Sequence, residues 1–300
     1  MTGGAELRYD ELTGEWVNVV GHRQDRPNLP AAGCPFCVGG LEAPEAYEVK
    51  AFENRWPMYR PGAPVELDPA VGTAPARGAS EVVLYSAEHD ATLHGLGVKG
   101  VRRVVDLWAD RTEVLLARPE IEYVLVFENR GAEAGATIPH PHGQVYAYPF
   151  VPPVPAREAA VAAAHGCPVC RLVGEQLGSP ERLVHEGDSW LAWVPFASGW
   201  PYGLLLAPRA HVDGLPELDD AGRDGLAAAL VDVLARYDRL FDRPFPYMLW
   251  LHHGVHLHVH VAPPLRARET MRFVAAGEVG SGLLTNPVAP ERAAQELRDA

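Results

Sequence analysis

His140-Pro141-His142-Gly143-Gln144 and His256-Leu257-His258-Val259-His260 are two versions of one pentapeptide, and they decide how the chain is organised. Each follows a Cys-x-x-Cys and a lone His. Cys34-Pro35-Phe36-Cys37 precedes His89, and Cys167-Pro168-Val169-Cys170 precedes His211. From second Cys to lone His is 52 residues in the first case (89−37) and 41 in the second (211−170). From lone His to pentapeptide is 51 (140−89) and 45 (256−211). A unit of this length with four matching landmarks marks an internal duplication. The pattern uses all 4 cysteines, so each half offers two thiolates and two imidazoles, a four-ligand zinc set. The middle His of each pentapeptide is left over as a candidate nucleophile.

Bulk composition narrows the classes. With 47% hydrophobic and 22% charged residues the chain can bury a substantial core. A net charge of −13 argues against nucleic acid or an anionic membrane as a general partner, while a phosphorylated small molecule needs only a local basic pocket. The first sixteen residues, MTGGAELRYDELTGEW, lack the basic-then-apolar design of a signal peptide, and no apolar stretch approaches a membrane span. The cytoplasm is the expected compartment. There Cys-x-x-Cys reads as metal-binding or redox-active rather than as a structural disulfide.

The same elements are expected twice. In the first half, Tyr47–Asn54, Glu81–Ser86, Glu122–Glu128 and Gln144–Phe150 read as strands, and Gly100–Arg118 as a helix ended by Pro119. In the second, Trp190–Val194, Tyr202–Ala207, Tyr247–His252 and His256–Ala262 read as strands, and Ala221–Phe241 as a helix. The fold class is α+β, with two antiparallel sheets joined edge to edge and helices packed on them. Pro57–Ala79, Pro149–Pro155 and Pro195–Pro201 read as loops. The expected division is 1–151 for the half carrying His142 and the first metal set, 152–264 for the half with the second set, and 265–300 for a tail outside both repeats.

Chemistry follows from alternation along a strand. His140, His142 and Gln144 tend to share a face if the backbone stays extended past Pro141, which suits a strand entry because proline donates no ladder hydrogen bond. A metal-bound His140 would hold His142 in one orientation beside it. Imidazole is a good nucleophile toward phosphorus. Gln144 can donate to a phosphoryl oxygen but cannot transfer a proton near neutral pH. That suits exchange between two phosphate esters, whose second pKa is roughly 6, better than activation of water.

These residues carry a resemblance. The chain is similar to galactose-1-phosphate uridylyltransferases, a branch of the histidine-triad superfamily. HPHGQ is the specific signature, and Phe127-Glu128-Asn129-Arg130-Gly131, Glu81–Leu93 and His22-Arg23-Gln24-Asp25-Arg26-Pro27 match further family segments in the family's order. The resemblance implies histidine-triad-like halves and a nucleotidyltransferase that exchanges UMP between UDP-glucose and galactose 1-phosphate. It makes His142 the nucleophile that carries UMP and Gln144 its phosphoryl partner. It puts Arg23 and Arg26 on phosphates, Asn54 and Asn129 on the uridine nucleotide, and Thr137 near the phosphates. Cys34, Cys37, His89 and His140 would hold zinc. Some relatives place a second metal on positions matching Glu158, His252, His258 and His260. The mirrored set Cys167, Cys170, His211 and His256 is preferred here, because thiolates compete best for zinc. Two zinc ions per chain are expected, with iron as an option at the second site. The tail segment holding Arg272, Phe273 and Glu278 resembles a sugar-contacting stretch that reaches across a homodimer. Gly277 stands where some relatives carry Tyr, which leaves the acceptor sugar open. Other readings are transfer to another sugar 1-phosphate, a dinucleotide hydrolase or phosphorylase using an active second triad, and a zinc-stabilised nucleotide-sensing module without turnover.

Overall fold

The computed structural model of the protein describes residues 5–24 and 33–300. Its centre is one 9-stranded sheet in which each neighbouring pair is antiparallel. In chain order the strands are β1 (Lys50–Glu53), β2 (Ala79–Leu84), β3 (Tyr123–Arg130), β4 (His142–Tyr148), β5 (Leu183–Glu186), β6 (Trp190–Trp193), β7 (Leu204–Pro208), β8 (Tyr247–His252) and β9 (His258–Ala262). Across the sheet they run β1-β2-β4-β3-β8-β9-β7-β6-β5. Either side of the β3–β8 seam the order repeats in mirror sequence, with β5 as an extra outer strand. The expected edge-to-edge junction is therefore a continuous ladder of main-chain hydrogen bonds.

Register fixes which residues correspond. Phe127 pairs with Gln144, Trp250 pairs with His260, and Phe127 pairs with Trp250 across the seam. The local two-fold axis thus passes between Phe127 and Trp250, and Gln144 and His260 are equivalent positions in one row. By the same register Val124 corresponds to Tyr247, Glu128 to Leu251, and Gly143 to Val259.

The helices are α1 (Gly97–Leu116), α2 (Pro153–His165), α3 (Pro168–Gly178), α4 (Asp220–Leu240), α5 (Ala276–Ser281) and α6 (Pro290–Asp299). The two long ones, α1 and α4, cover one face of the sheet. Val101, Val104, Val105 and Trp108 of α1 and Leu226, Leu230, Val233 and Leu234 of α4 are fully buried there. Each such Val or Leu contributes about 1.5–3 kcal/mol of burial free energy. They share one core with Val83, Val124, Val126, Val145, Val259 and Val261 from both halves. The tail joins it too, since Ala293, Ala294 and Leu297 of α6 are buried in the same cluster.

The opposite face is left for function. Along β4, Gly143, Val145 and Ala147 are buried toward the helices, whereas His142, Gln144 and Tyr146 point the other way and stay partly open. A 3-stranded sheet, Glu15–Val19, Glu6–Asp10 and Thr73–Pro75, belongs to a cluster in which Leu7, Tyr59 and Ala74 pack with Tyr146 and Tyr148 on that face. The loop expected from Pro149 to Pro155 gives way to α2 at Pro153, because proline is tolerated in the first turn of a helix and an alanine-rich run follows. No helix among the described residues is long and apolar enough to cross a membrane.

Candidate active site and metal clusters

The strand β4 begins at His142, so Pro141 is the last residue before the ladder and His140 lies in the turn that feeds it. That turn folds the chain onto itself. His142 Nδ1 lies 2.7 Å from the His140 carbonyl oxygen. A carbonyl only accepts, so Nδ1 carries the proton and the ring's lone pair is on Nε2. Phe36, from the first Cys-x-x-Cys, packs its ring against His142 at 5.1 Å between centroids. The side chain expected to do the chemistry is thus oriented from both its backbone and its flank.

Two residues along, Gln144 is oriented as well. Its Oε1 accepts from Asn54 Nδ2 at 3.4 Å and from the Tyr146 hydroxyl at 3.3 Å. With the oxygen taken, the amide N–H groups are the end available to an acceptor. Asn54 is buried and its own oxygen accepts from the Trp56 N–H at 2.9 Å. A cavity of about 480 Å³ opens beside His142, bordered also by His89, Asn129, Arg130, Thr137 and Glu128. Of the residues named from sequence, His142, Asn129 and Thr137 share this cavity with the metal-set residues His89 and His140, and Asn54 meets Gln144. Arg23 lies in the short turn Gly21–Arg23 and does not border it; Arg26 lies outside the described residues. Arg272 and Glu278 are hydrogen-bonded to each other, with Arg272 stacked on Trp200 at 4.5 Å, and Phe273 is exposed. None of these three borders the His142 cavity within the chain.

Glu128 was not singled out by sequence. It is buried under the cavity with its Oε1 accepting from the Tyr247 hydroxyl at 3.0 Å. Burial pushes its carboxyl up to about 7, against the lowering effects of Tyr247, Arg130 and Tyr85.

Three groups of side chains are arranged as metal ligands, with the donor atoms of each group within 4.8 Å of one another. In the first, Cys37 Sγ lies 3.3 Å from His89 Nδ1 and 3.7 Å from His140 Nδ1. In the mirrored group, Cys170 Sγ lies 3.2 Å from His211 Nδ1 and 3.3 Å from His256 Nδ1, and Cys167 Sγ 3.6 Å from the latter. A tetrahedral ion with bonds of about 2.3 Å to sulfur and about 2.0 Å to nitrogen has S···N edges near 3.5 Å, so both groups fit zinc. Tautomers agree with this. His140 Nε2 donates to the Ser86 carbonyl at 2.8 Å and His256 Nε2 to the Pro208 carbonyl at 3.2 Å, which leaves Nδ1 of each as the ligand atom. Burial and the facing Cys34 push the Cys37 thiol up, and burial and Cys167 push Cys170 to about 11. A divalent cation between each pair would reverse that cost.

The two cysteine motifs are built differently. The first is a turn closed by Gly39 and Gly40. A Cβ on Gly40 would sit 2.7 Å from the Cys34 and Pro35 carbonyl oxygens. The second is the start of α3, where Cys167 is the N-cap and its sulfur accepts from the Cys170 N–H at 3.4 Å.

The third group is Glu158, His252, His258 and His260. Sequence set it against the mirrored group as an alternative; the structure forms both. His256 lies in the bend before β9 begins and so escapes the strand's alternation: it enters the thiolate group, while His258 and His260, two residues apart on one face of β9, turn to Glu158 on α2. Glu158 accepts from His252 Nδ1 at 3.0 Å. Burial would raise its carboxyl, but His252 and His258 outweigh this and hold it well below the usual range. Burial, then His258 and His252, keep His260 well below an ordinary imidazole, and its buried Nε2 has no hydrogen-bond partner. A carboxylate facing three imidazoles suits a divalent ion. His258 repeats the His142 geometry, with Nδ1 2.7 Å from the His256 carbonyl, but its Nε2 lies 3.7 Å from a Glu158 carboxylate oxygen, and His258 does not line the cavity that His142 borders.

Comparison with known proteins follows the same division. Residues 34–152 match the family model "Galactose-1-phosphate uridyl transferase, N-terminal domain", and residues 170–300 match the corresponding C-terminal domain. The chain is 39% identical to a galactose-1-phosphate uridylyltransferase of Thermotoga maritima over 98% of each protein. It is 35% identical to that of Rattus norvegicus over 97% of this chain and 86% of the rat protein. A solved uridylyltransferase structure superposes with a TM-score of 0.88 at 30% identity, covering 98% of this chain and 97% of that one. An ADP-glucose phosphorylase from Arabidopsis thaliana shares the fold, with a TM-score of 0.75 at 24% identity over 99% of each.

Proposed function

The chain belongs to the galactose-1-phosphate uridylyltransferase family and moves UMP between UDP-glucose and galactose 1-phosphate; on that premise we propose that His142 is the group that carries UMP between them. The observation that carries the assignment is the hydrogen bond from His142 Nδ1 to the His140 carbonyl, which puts the nucleophilic pair on Nε2. In the first step Nε2 forms a bond to the α-phosphorus of UDP-glucose, and the bond from that phosphorus to the bridging oxygen breaks. Glucose 1-phosphate leaves with the bonding pair. The imidazole keeps its Nδ1 proton against the His140 carbonyl, so no proton has to move. In the second step a phosphate oxygen of galactose 1-phosphate attacks the same phosphorus, and His142 leaves as the neutral imidazole with UDP-galactose as product. Both leaving and attacking groups are phosphate oxygens, which need no general acid or base. Gln144 supports this with an amide whose oxygen is taken by Asn54 and Tyr146, which leaves its N–H groups for a phosphoryl oxygen. Asn129 and Thr137 line the cavity, Asn54 fixes Gln144, and Arg23 and Arg26 are assigned to substrate phosphates.

The metals in this reading are structural zinc ions at Cys34, Cys37, His89 and His140 and at Cys167, Cys170, His211 and His256, each set filling a tetrahedron without an open position. Glu158, His252, His258 and His260 would hold a further divalent ion, with iron an option there. When bound, these ions fix the turns that present the two pentapeptides. Residues 1–151, 152–264 and 265–300 are the working units. The exposed Phe273 beside the Arg272–Glu278 pair favours a homodimer whose tail meets the partner's acceptor site. Four metal-binding thiols suit the reducing cytoplasm.

The test is a single turnover. UDP-glucose alone should release one equivalent of glucose 1-phosphate and leave a UMP adduct on His142, readable by peptide mass spectrometry. Galactose 1-phosphate should then discharge it. An adduct on His258, or steady UMP release into water, would overturn the assignment.

A further inference from the structure

The helix-facing side of the sheet is mostly apolar; of two acids buried on it, Glu81 is held by Arg111 of α1 at 2.8 Å, whereas Glu128 lies under the nucleophile. Glu128 lies on the same face of β3 as Val124 and Val126 and is buried there. Its Oε1 accepts from Tyr247, but its Oε2 has no hydrogen-bond partner. Beside it stands Tyr85, fully enclosed, whose hydroxyl likewise lacks one, and the indole N–H of Trp108 on α1 faces that hydroxyl. The rings of Tyr85 and Trp108 meet edge to face at 5.8 Å. Donors therefore converge: Trp108 toward Tyr85, Tyr85 and Tyr247 toward the carboxyl.

Above this chain is Gly143, the residue between His142 and Gln144. A Cβ there would lie 2.1 Å from the Tyr85 hydroxyl and 2.9 Å from the Phe127 carbonyl oxygen. Only glycine lets the hydroxyl come so close to the strand. The second half shows that the fold does not need this. Its equivalents of Gly143, Glu128 and Tyr247 are Val259, Leu251 and Val124, all buried and apolar. Of the two equivalent places, the polar arrangement occurs beneath HPHGQ and not beneath its counterpart.

We propose that Glu128 is a positioning residue for uridylyl transfer: as a carboxylate it draws the Tyr85 hydroxyl under Gly143 and so fixes the backbone from which His142 and Gln144 project. The inference rests on His142 as the nucleophile. Ionisation is what gives Oε2 the strength to take up the hydroxyl that stands beside it. The charged and titratable groups around Glu128 are Tyr85, Tyr247 and Arg130; Arg130 is itself held by Asp238 at 2.7 and 2.8 Å, with His94 next to that pair. His89, Asp90, His140 and His142 border the cavity on the other side. Glu128 thus has no cation of its own, and its ionisation falls near neutrality rather than in the usual carboxylate range.

The test uses the first half-reaction of the metal-loaded protein with UDP-glucose. That substrate is a diphosphate diester and has no second phosphate proton to lose near neutral pH. The burst of glucose 1-phosphate is timed for wild type and Glu128→Gln. The ratio of the two rates cancels the titration of His142 and the cavity groups. It should climb about tenfold between about pH 6 and about pH 8.5, as only wild type gains the carboxylate. Tyr85→Phe, which keeps the ring and removes the hydroxyl, should give the same climbing ratio. A ratio flat in pH, or one that falls as pH rises, would overturn the proposal, as would Tyr85→Phe behaving like wild type. Difference infrared spectra of wild type should show a protonated carboxyl band lost over the same pH range and missing in Glu128→Gln. Absence of that band from wild type at about pH 6 counts against the proposal even if the variant does not fold. Absence of any UMP adduct on His142 in wild type would instead mark failure of the nucleophile assignment.

Discussion

His142 and His258 stand at equivalent places in one duplicated fold, with the same 2.7 Å bond from Nδ1 to the carbonyl two residues back. Their surroundings separate them. His142 lies on the wall of a cavity of about 480 Å³, whereas His258 Nε2 faces the carboxylate of Glu158. The contrast continues outward. Gln144 stands against His260, Phe36 against Val169, Gly143 against Val259 and Glu128 against Leu251. Backbone geometry alone does not make a nucleophile here. On the reading proposed above, the neighbours decide whether the same imidazole meets a substrate or a metal.

The sharpest way to break this comparison is to delete each imidazole in turn. His142→Ala should lower transfer by about 10⁴-fold or more, because the covalent step is lost. It should keep its metal content, since His142 belongs to none of the three ligand groups. His258→Ala should retain the UMP adduct and lose metal from the Glu158 group. Rapid-quench kinetics with elemental analysis of both variants decides it; a reversed pattern exchanges the roles of the halves.

Next in size is the pair Cys37→Ser and Cys170→Ser. Each should lose one equivalent of metal. Cys37→Ser should also slow transfer on the order of 100-fold, because the ion fixes His140 and the His140 carbonyl fixes His142. Cys170→Ser should chiefly lower the melting temperature. Equal kinetic penalties would show that the second ion also acts on the reaction.

A reciprocal swap sharpens the row across the seam. Gln144→His should slow transfer about tenfold or more and introduce UMP release into water, since an imidazole can move protons where an amide cannot. His260→Gln should weaken metal binding at the Glu158 group about 10–100-fold and leave the partition between transfer and hydrolysis unchanged. Product analysis by chromatography separates the two effects.

Much of this was legible in sequence because it rests on periodic or covalent signals. The doubled Cys-x-x-Cys, His and pentapeptide spacing located both thiolate groups, and alternation along EYVLVFE and HLHVH set the strands. What escaped has physical reasons. Helix α2 was hidden by the prolines at its start, which read as a loop until the alanines are counted. Short strands such as Glu6–Asp10 are pinned by tertiary pairing with Thr73–Pro75, which no local pattern reveals. The coexistence of two candidate ligand groups around β9 needed the third dimension, because His256, in the bend before the strand, parts from His258 and His260 only once the chain is folded. Glu128 did leave a trace: it shares the apolar face of β3 with Val124 and Val126. A lone acid there reads as a strand terminus unless Tyr85 and Tyr247 are known to lie beside it.

The smallest expected effect concerns that acid. Its folded-state value of about 7 lies above the model-compound value of 4.5, so the unfolded chain gives up the proton first. Folding stability therefore falls as pH rises from about 4.5 to about 7 and then levels off, by at most about 3 kcal/mol. Glu128→Gln should remove this loss and melt higher than wild type above neutrality, with little difference near about pH 4. Calorimetry at several pH values checks it. Leu251, its counterpart, carries no such burden.

The β3–β8 seam has one more consequence. Two equivalent strands meet antiparallel across a local two-fold axis, the arrangement by which two identical subunits associate through an isologous interface. The peptide link between β4 and α2 then acts as a tether that raises the effective concentration of one half near the other to the millimolar range or so, while the seam and the shared core supply the association itself. A backbone cut in residues 149–152, or new termini placed there by circular permutation, should thus leave two fragments that find each other and restore the uncut enzyme's turnover.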